Sequence, residues 1–224
     1  MAGAATQREL ASAGGQRLPA VGGRGRDNGK DTTMIPLGIC TDGIELEFEK
    51  TLLARARLCV SPLLYLEIGT ETGRTFKGAH QILTNSGMKF HLIGIEPNPQ
   101  YLPHFKEISH ATIMTCTREQ AEKNFPYRID FAFIDGCHAI PCVKGDFLMV
   151  EEHCNNGCVV VFHDFGEASV GEMQPHCNEG ANVRKAVQEL GLFNNARPHW
   201  LRLDDFKGDQ AKNGADCGVF MHTT

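Results

Sequence analysis

Short apolar runs separated by longer amphipathic segments recur along most of the chain. The runs "LLYLEI", "FHLIGI", "ATIMT", "IDFAFI" and "GCVVVFHD" have the length and composition of strands, and they occupy residues 63–68, 90–95, 111–115, 129–134 and 157–164. The segments between them that have the length of crossover helices are 75–86, 99–108, 118–124 and 141–153. This alternation predicts an α/β fold with a doubly wound, Rossmann-like, mostly parallel sheet.

The last part of the chain follows a different pattern. After the helix-like segment "ANVRKAVQELGL" come "HWLRL" and "CGVFM", and the segment between these two runs is polar and has no helical period. Strands without a crossover helix pair antiparallel. We therefore expect seven strands in all, with an antiparallel strand at one edge of the sheet.

A helix is predicted before the first strand, over residues 41–59. Ile44, Phe48 and Leu52 recur there at helical spacing, and Asp42 with Glu45 three residues later has the pattern of an N-terminal cap. We expect this helix to pack its apolar side on the sheet.

The first residues lack any apolar period. Residues 1–35 are rich in Gly, Ala and Arg, which predicts a flexible leader, and residues 36–224 are predicted to form one domain. A chain of 224 residues has the size of a single α/β domain.

Composition and charge exclude several classes of protein. Hydrophobic residues make up 42% of the chain and charged residues 22%, and no apolar stretch is long enough to cross a membrane. The formal net charge of −5 argues against nucleic acid or an anionic membrane as a partner, because both attract clustered positive charge. The nine cysteines form no CxxC pair, which favours a reducing, cytoplasmic location.

The turn after the first strand, "LEIGTETGRT" at residues 66–75, carries the first candidate chemistry. In doubly wound sheets this turn normally lines the ligand site. A dinucleotide site would show GxGxxG, whereas here only Gly69 and Gly73 are present, and the carboxylate of Glu67 precedes them. The turn therefore lacks the glycine pattern of a pyrophosphate-binding site.

A second carboxylate, Glu96, ends the next strand in "IGIEPNP". It follows Glu67 by one βαβ unit, where a carboxylate can accept both hydrogen bonds of a ribose diol. Two acids would repel a pyrophosphate but suit a cation that carries a ribose, and S-adenosylmethionine is such a molecule.

Taken in order, "LEIGTETGRT", "IGIEPNP", "FIDGCH" and "FHDF" resemble the motifs of the class I S-adenosylmethionine-dependent methyltransferases. The chain is most similar to the small-molecule O-methyltransferase type, methyltransferase domain 24-like, with a glycine-poor first motif and an "IDGxH" fourth motif. The resemblance covers roughly residues 45–222 on the alternating-element pattern. It departs from the fuller ExGxGxG form at the middle glycine position, which is Glu71.

The resemblance implies a cofactor site. It places Glu96 at the ribose and the segment "CTRE", 116–119 and chiefly Thr117, at the adenine. Around the methionine part it places Glu67, Gly69, Thr70 and Gly73.

The reacting end is predicted at the tips of the fourth and fifth strands. Asp135 and His138 follow the fourth strand, and His163 and Asp164 follow the fifth, so all four should reach the same cleft. One use is a divalent metal site of Asp135, Asp164 and His163, holding magnesium or manganese and lowering the pKa of an acceptor hydroxyl. The other is general base catalysis by His138 or His163, with an aspartate orienting the ring.

The two uses stay open on the sequence alone. Metal-dependent relatives often carry two acidic or amide residues at the fifth strand tip, where this chain has His163 and Asp164. A histidine ligand favours a softer ion or no ion. Asp135 is also a candidate cofactor-lining residue. A structural alternative is that Asp135 only lines the cofactor and that His163 forms a hydrogen bond with the backbone.

The long segment 166–182 follows the fifth strand and has glycines but no period. We predict that it covers the pocket mouth, with His176 and Cys177 near the substrate.

The function that these observations favour is S-adenosylmethionine-dependent O-methylation of a small hydroxylated molecule. The resemblance also admits the same fold used as a hydroxylase component, or as an inactive methyltransferase-like binding module. An NAD-dependent oxidoreductase is disfavoured by Glu67 and the absent GxGxxG. The expected partner is a small-molecule methyl acceptor. The edge strands would also allow two copies of the chain to pair as a homodimer.

Overall fold

The computed structural model describes residues 44–165, 179–194, 196–203, 205–207 and 216–223. All of them lie in one compact unit, Ile35–Thr224. The predicted leader, residues 1–35, and the predicted cap at Asp42 lie outside the described residues, as do His176 and Cys177 of the predicted cover. None of the helices in the described ranges is both long and apolar enough to span a bilayer.

Seven strands form one sheet in the order β3-β2-β1-β4-β5-β7-β6. They are β1 (Leu63–Ile68), β2 (Phe90–Ile95), β3 (Ala111–Met114), β4 (Ile129–Ile134), β5 (Cys154–Phe162), β6 (Trp200–Arg202) and β7 (Gly218–His222). The pairs from β3 to β5 are parallel, and β7 pairs antiparallel with both β5 and β6. The predicted fold class is confirmed, and the antiparallel strand lies next to the edge because β6 pairs with its outer side.

Helices cover both faces of the sheet. The helices are α1 (Glu45–Leu58), α2 (Arg74–Asn85), α3 (Arg118–Glu122), α4 (Ile140–His153) and α5 (Glu179–Glu189). The apolar residues of α1 and α2 pack in one buried cluster with β-strand residues such as Tyr65 and Phe131. Those of α3, α4 and α5 pack in a second cluster on the other face, with Leu66 and Ile134. The alternation along each strand thus supplies two apolar layers.

The segment after β2 differs from the predicted crossover helix. It forms a 3₁₀ helix, Pro99–Phe105, rather than an α-helix. Pro103, inside the segment, lacks a backbone N–H and cannot donate the bond that an α-helical ladder needs there. The short 3₁₀ turn still returns the chain to the start of β3, and Phe105 is buried against α2.

The strands end together at one side of the sheet, and this side carries the candidate site. The strand order reverses between β1 and β4, which neighbour each other although β2 and β3 lie between them in sequence. A crevice outside the carboxyl ends of the strands opens at such a switch point. β5 starts at Cys154, earlier than predicted, and ends at Phe162, so His163 and Asp164 follow directly at this same side.

Candidate active site

A cleft of about 550 Å³ opens at the carboxyl ends of β1, β2 and β4. Most of the residues that the sequence assigned to a cofactor line it. They are Glu67, Gly69, Thr70, Glu96, Thr117 and Asp135. Gly73 is not among the lining residues, but it determines the shape of the turn. The cleft therefore joins all three strand ends that carry predicted cofactor residues.

Glycine is required at two positions of the first turn. Gly69 has φ +86°, and a Cβ there would lie 2.2 Å from the carbonyl oxygen of Asp135. Gly73 has φ +75° and caps α2, and a Cβ there would lie 2.5 Å from the ring of Phe105. Each position combines a left-handed backbone with a close neighbour, so any larger residue would be strained. Glu71 also has a positive φ, 45°, which places backbone strain in this turn.

Glu67 is buried at the floor of the cleft, with 2% of its surface exposed. Its Oε2 accepts a hydrogen bond of 2.6 Å from the Tyr65 hydroxyl, and the backbone N–H of Phe76 donates to the same carboxylate. Burial raises the pKa of Glu67 to about 8, and the neighbouring charge of Asp135 also raises it. A cation in the cleft would favour the ionised form.

Glu96 connects two turns. Its Oε2 accepts from the backbone N–H of Glu71 at 2.8 Å, and its Oε1 accepts from the N–H of Asn98 at 2.8 Å. Each carboxylate oxygen has a further lone pair for a ligand hydroxyl. Glu96 is thus held in a fixed orientation at the wall of the cleft, with 5% of its surface exposed.

The far end of the cleft is formed by α3 and α4. Thr117 is the N-cap of α3, and its backbone N–H donates to Gln120 Oε1 at 3.0 Å. Asp146, on α4, lines the same end, and its Oδ1 lies 3.4 Å from Nε of Arg118. Burial raises the pKa of Asp146 to about 7, although Arg118 opposes this shift.

The four residues predicted at the reacting end form one cluster. His163 Nδ1 lies 2.9 Å from both Asp135 Oδ1 and Asp164 Oδ2. His138 Nε2 lies 3.4 Å from the same two oxygens. Asp135 and His138 line the cleft, whereas His163 and Asp164 are not among its lining residues. Two carboxylates and two imidazoles therefore converge at one side of the opening.

The two carboxylates of the cluster favour a proton on His163, which offsets part of their negative charge. Burial opposes that proton, but Asp135 and Asp164 outweigh burial and raise the pKa of His163 to about 10. Burial also opposes ionisation of Asp135, yet His163 and His138 lower the pKa of its carboxyl. Asp164 is held with φ 53°, a left-handed conformation that Asp tolerates and that turns its carboxylate toward the two rings.

The donor set of the cluster fits a divalent cation. The ligand atoms of Asp135, His138 and Asp164 all lie within 4.8 Å of one another. His163, the third residue of the predicted metal set, contacts both carboxylates, so its proton and a cation would compete for the same oxygens. Two carboxylates with an imidazole suit manganese or a softer ion better than magnesium.

Sequence reasoning did not assign a role to two residues of the site. Tyr65 contacts Glu67 from within the same strand, and the two-residue strand period was the available signal. Asp146 lies on α4, and its place at the far end of the cleft depends on how α4 lies against α3.

The comparisons with known proteins agree with this architecture. Residues 66–165 match the family model described as a methyltransferase domain. No curated protein matches the chain. Solved structures that are similar include the O-methyltransferase TomG from Streptomyces achromogenes, in complex with S-adenosylmethionine, with 16% identity, 80% of each chain covered and a TM-score of 0.58.

Two further solved structures show how broad this likeness is. An O-methyltransferase from Bacillus cereus, in complex with S-adenosylhomocysteine, has 14% identity, 80% of each chain covered and a TM-score of 0.58. An rRNA methylase from Streptococcus thermophilus has 9% identity, a TM-score of 0.57, and 80% of this chain and 95% of its own covered. Residues 66–165 therefore match a methyltransferase domain, and the chain has the fold of the class I S-adenosylmethionine-dependent methyltransferases.

Proposed function

We propose that this protein is an S-adenosylmethionine-dependent methyltransferase that O-methylates a small hydroxylated molecule. The observation that carries the proposal is a single cleft with Glu67 and Glu96 along its wall and the cluster of Asp135 and His138 at its side. The resemblance to O-methyltransferases in complex with S-adenosylmethionine and S-adenosylhomocysteine supports the cofactor.

The chain's own residues would bind and orient the cofactor. Glu67 offers a buried carboxylate to the cationic amino-acid end, and Glu96 offers two fixed oxygens to the ribose hydroxyls. Thr117 lies at the far end, where the adenine is expected. S-adenosylmethionine supplies a methyl group on a positively charged sulphur, so most of the acceleration comes from alignment with the acceptor oxygen.

We assign the proton of the acceptor hydroxyl to His138. This imidazole lines the cleft, whereas His163 is outside the lining, and Asp135 and Asp164 raise the pKa of His163 so that it favours its protonated form. The two carboxylates lie 3.4 Å from His138 Nε2, so they would stabilise the imidazolium that forms when the ring accepts a proton.

A divalent ion is the second way to activate the acceptor. Asp135, His138 and Asp164 would hold a divalent ion such as manganese, and the ion would lower the pKa of a bound hydroxyl. The chain's residues would then orient the acceptor, and His163 would lose the proton that it now places between the two carboxylates.

Other functions have weaker support. A hydroxylase component or a binding module on this fold would not need the converging acids and imidazoles at the cleft, although both would use the same fold. A nicotinamide cofactor has less support because the turn after β1 lacks the GxGxxG pattern that would hold its pyrophosphate. A cytoplasmic location and a homodimer stay predictions.

The test is calorimetric titration with S-adenosylhomocysteine, with NADH in parallel and with manganese or EDTA present. We expect micromolar binding of S-adenosylhomocysteine and none of NADH. Glu107→Gln serves as a control, because Glu107 is exposed and lies outside the cleft lining. Binding of NADH instead, or binding of neither ligand, would refute the proposal.

A further inference from the structure

Tyr65 is a fully buried polar residue that the proposed mechanism leaves without a role. It lies on β1 two residues before Glu67, so the two side chains leave the strand on the same face. The hydroxyl oxygen of Tyr65 lies 2.6 Å from Glu67 Oε2, a short bond typical of a hydroxyl donating to a carboxylate.

Packing fixes the position of this hydroxyl. The ring of Tyr65 stacks on Phe131, with centroids 5.7 Å apart and planes 16° apart. It also meets the ring of Phe76 edge to face at 6.2 Å. A ring held on two sides in a close-packed layer has no alternative rotamer, so its hydroxyl acts as a rigid donor.

The groups around Glu67 explain why a donor is needed there. Its neighbours are the backbone N–H of Phe76, the carboxylate of Asp135, which repels it, and the imidazole of His163, which attracts it. The two hydrogen bonds favour the charged form, whereas burial opposes it. Burial and the charge of Glu67 raise the pKa of Tyr65 well above its usual range, so Tyr65 remains a donor.

We infer that Tyr65 is a positioning residue, whose hydroxyl holds the Glu67 carboxylate toward the amino-acid end of the cofactor. This inference rests on the proposed function. Tyr65 does not line the cleft and so has no contact with the ligand itself. Its effect must therefore pass through Glu67, and it must be confined to ligands that carry the amino-acid group.

The experiment compares two ligands on one variant. Tyr65→Phe removes the hydroxyl and keeps the packed ring. S-adenosylhomocysteine carries the amino-acid end, whereas 5′-methylthioadenosine keeps the adenosine and the sulphur but lacks that end. We expect Tyr65→Phe to weaken S-adenosylhomocysteine binding about tenfold, as for one lost charge-assisted bond, and to leave 5′-methylthioadenosine binding unchanged.

A double-mutant cycle tests whether the effect of Tyr65 on ligand binding passes through Glu67. Glu67→Gln removes the charge that Tyr65 is inferred to hold, so adding Tyr65→Phe to it should not weaken S-adenosylhomocysteine binding further. Tyr127→Phe is the matched control, because Tyr127 packs beside His91 and lies outside the cleft lining. Thermal melting of each variant reports any general loss of stability.

Three outcomes would overturn the inference. Equal weakening of both ligands by Tyr65→Phe would assign Tyr65 to packing alone. Unchanged S-adenosylhomocysteine affinity in that variant, or an additive loss in the Glu67→Gln background, would remove the positioning role. These three outcomes all assume that the wild-type protein binds S-adenosylhomocysteine. If the wild-type protein does not bind it, the proposed function on which the inference rests is refuted instead.

Discussion

The residue that most directly reports the state of the proposed reacting end is His163. Its Nδ1 lies 2.9 Å from two carboxylate oxygens, and the pKa of about 10 comes from Asp135 and Asp164 against the opposing effect of burial. We expect Asp135→Asn to lower the pKa of His163 by about one to three units, the range for one adjacent opposite charge. NMR titration of the imidazole nitrogens in EDTA measures this, with the exposed Glu107→Gln variant as the control. An unchanged titration would show that Asp135 is not the partner of the His163 proton.

Glu67 gives the pH dependence of cofactor binding. Burial raises its pKa to about 8, so at pH 7 only about one tenth of the free protein has this carboxylate ionised. The amino-acid end of S-adenosylhomocysteine carries an ammonium group, which favours the ionised form of Glu67, so binding releases the carboxyl proton and weakens as the pH falls below about 8. We expect S-adenosylhomocysteine affinity to rise about twentyfold between about pH 6.5 and about pH 8.5, because the ionised fraction of Glu67 rises by about that factor. Glu67→Gln should give a flat profile, and a flat wild-type profile would contradict this.

Glu96 tests the ribose assignment. Glu96→Gln keeps one acceptor oxygen but replaces the other by an amide, which cannot accept from Glu71 or Asn98. We expect S-adenosylhomocysteine binding to weaken by about 1–3 kcal/mol, the range for a lost bond to a charged group. Calorimetry measures this, and unchanged affinity in a folded variant would remove Glu96 from the ribose role.

At the residue scale the sequence was a good guide to which residues meet. Glu67, Glu96, Asp135 and His138 were all predicted from strand ends, because parallel strands bring their carboxyl ends together. What each residue touches could not be predicted in the same way. The direction of the Asp164 carboxylate, for example, depends on a left-handed turn at Asp164, which the sequence does not mark.

At the element scale a buried ionic network joins α1, β1, β4 and β5 at the amino ends of the strands. Arg55 Nη2 donates to Asp130 Oδ1 at 2.6 Å, Asn155 donates to the same oxygen at 2.9 Å, and the N–H of Leu64 donates to Oδ2 at 3.0 Å. The Asp130 side chain is only 5% exposed. The loss of one partner would therefore leave a buried charge and buried donors without bonds.

This network yields a stability prediction. Asp130→Ala leaves Arg55 without its carboxylate partner, so we expect the free energy of unfolding to fall by about 3–5 kcal/mol. Urea denaturation measures this, with Glu107→Ala as the exposed control. The change lies at the opposite ends of the strands from the cleft. If the free energy of unfolding fell by less than about 1 kcal/mol, water would replace the contacts between Arg55 and Asp130 at little cost.

Element boundaries show what a pattern can and cannot predict. β1, β2 and β4 were predicted to the residue, because each is a mostly apolar run that ends before a polar residue or glycine. The segment 99–108 was predicted as a helix by its length alone, whereas Pro103 inside it opposes an α-helix and the segment forms a short 3₁₀ helix. β5 begins three residues before the predicted start because Cys154 pairs with Ile129, and the register then shifts so that Phe131 pairs with Val159. A single-sequence pattern does not reveal such an irregularity.

At the scale of the whole molecule, cofactor binding and global stability are linked. A ligand that binds only the folded state at a hundred times its Kd adds about 2.7 kcal/mol to the free energy of unfolding. For a domain of this size 1 kcal/mol raises Tm by about 2–4 °C, so saturating S-adenosylhomocysteine should raise Tm by about 5–10 °C.

Substitutions at the two ends of the strands should then change Tm independently of each other. Asp130→Ala should lower Tm with and without ligand but leave the ligand-induced increase unchanged, because changes at distant sites add. Glu96→Gln, by contrast, should reduce the ligand-induced increase, and it should also lower the Tm of the free protein because its amide leaves one backbone N–H, that of Glu71 or Asn98, without an acceptor. Thermal melting of the wild-type protein, both single variants and the double variant measures these increments. A ligand-induced increase reduced by Asp130→Ala would mean that the network at the amino ends of the strands and the cleft are coupled through β1 and β4, the two strands that they share.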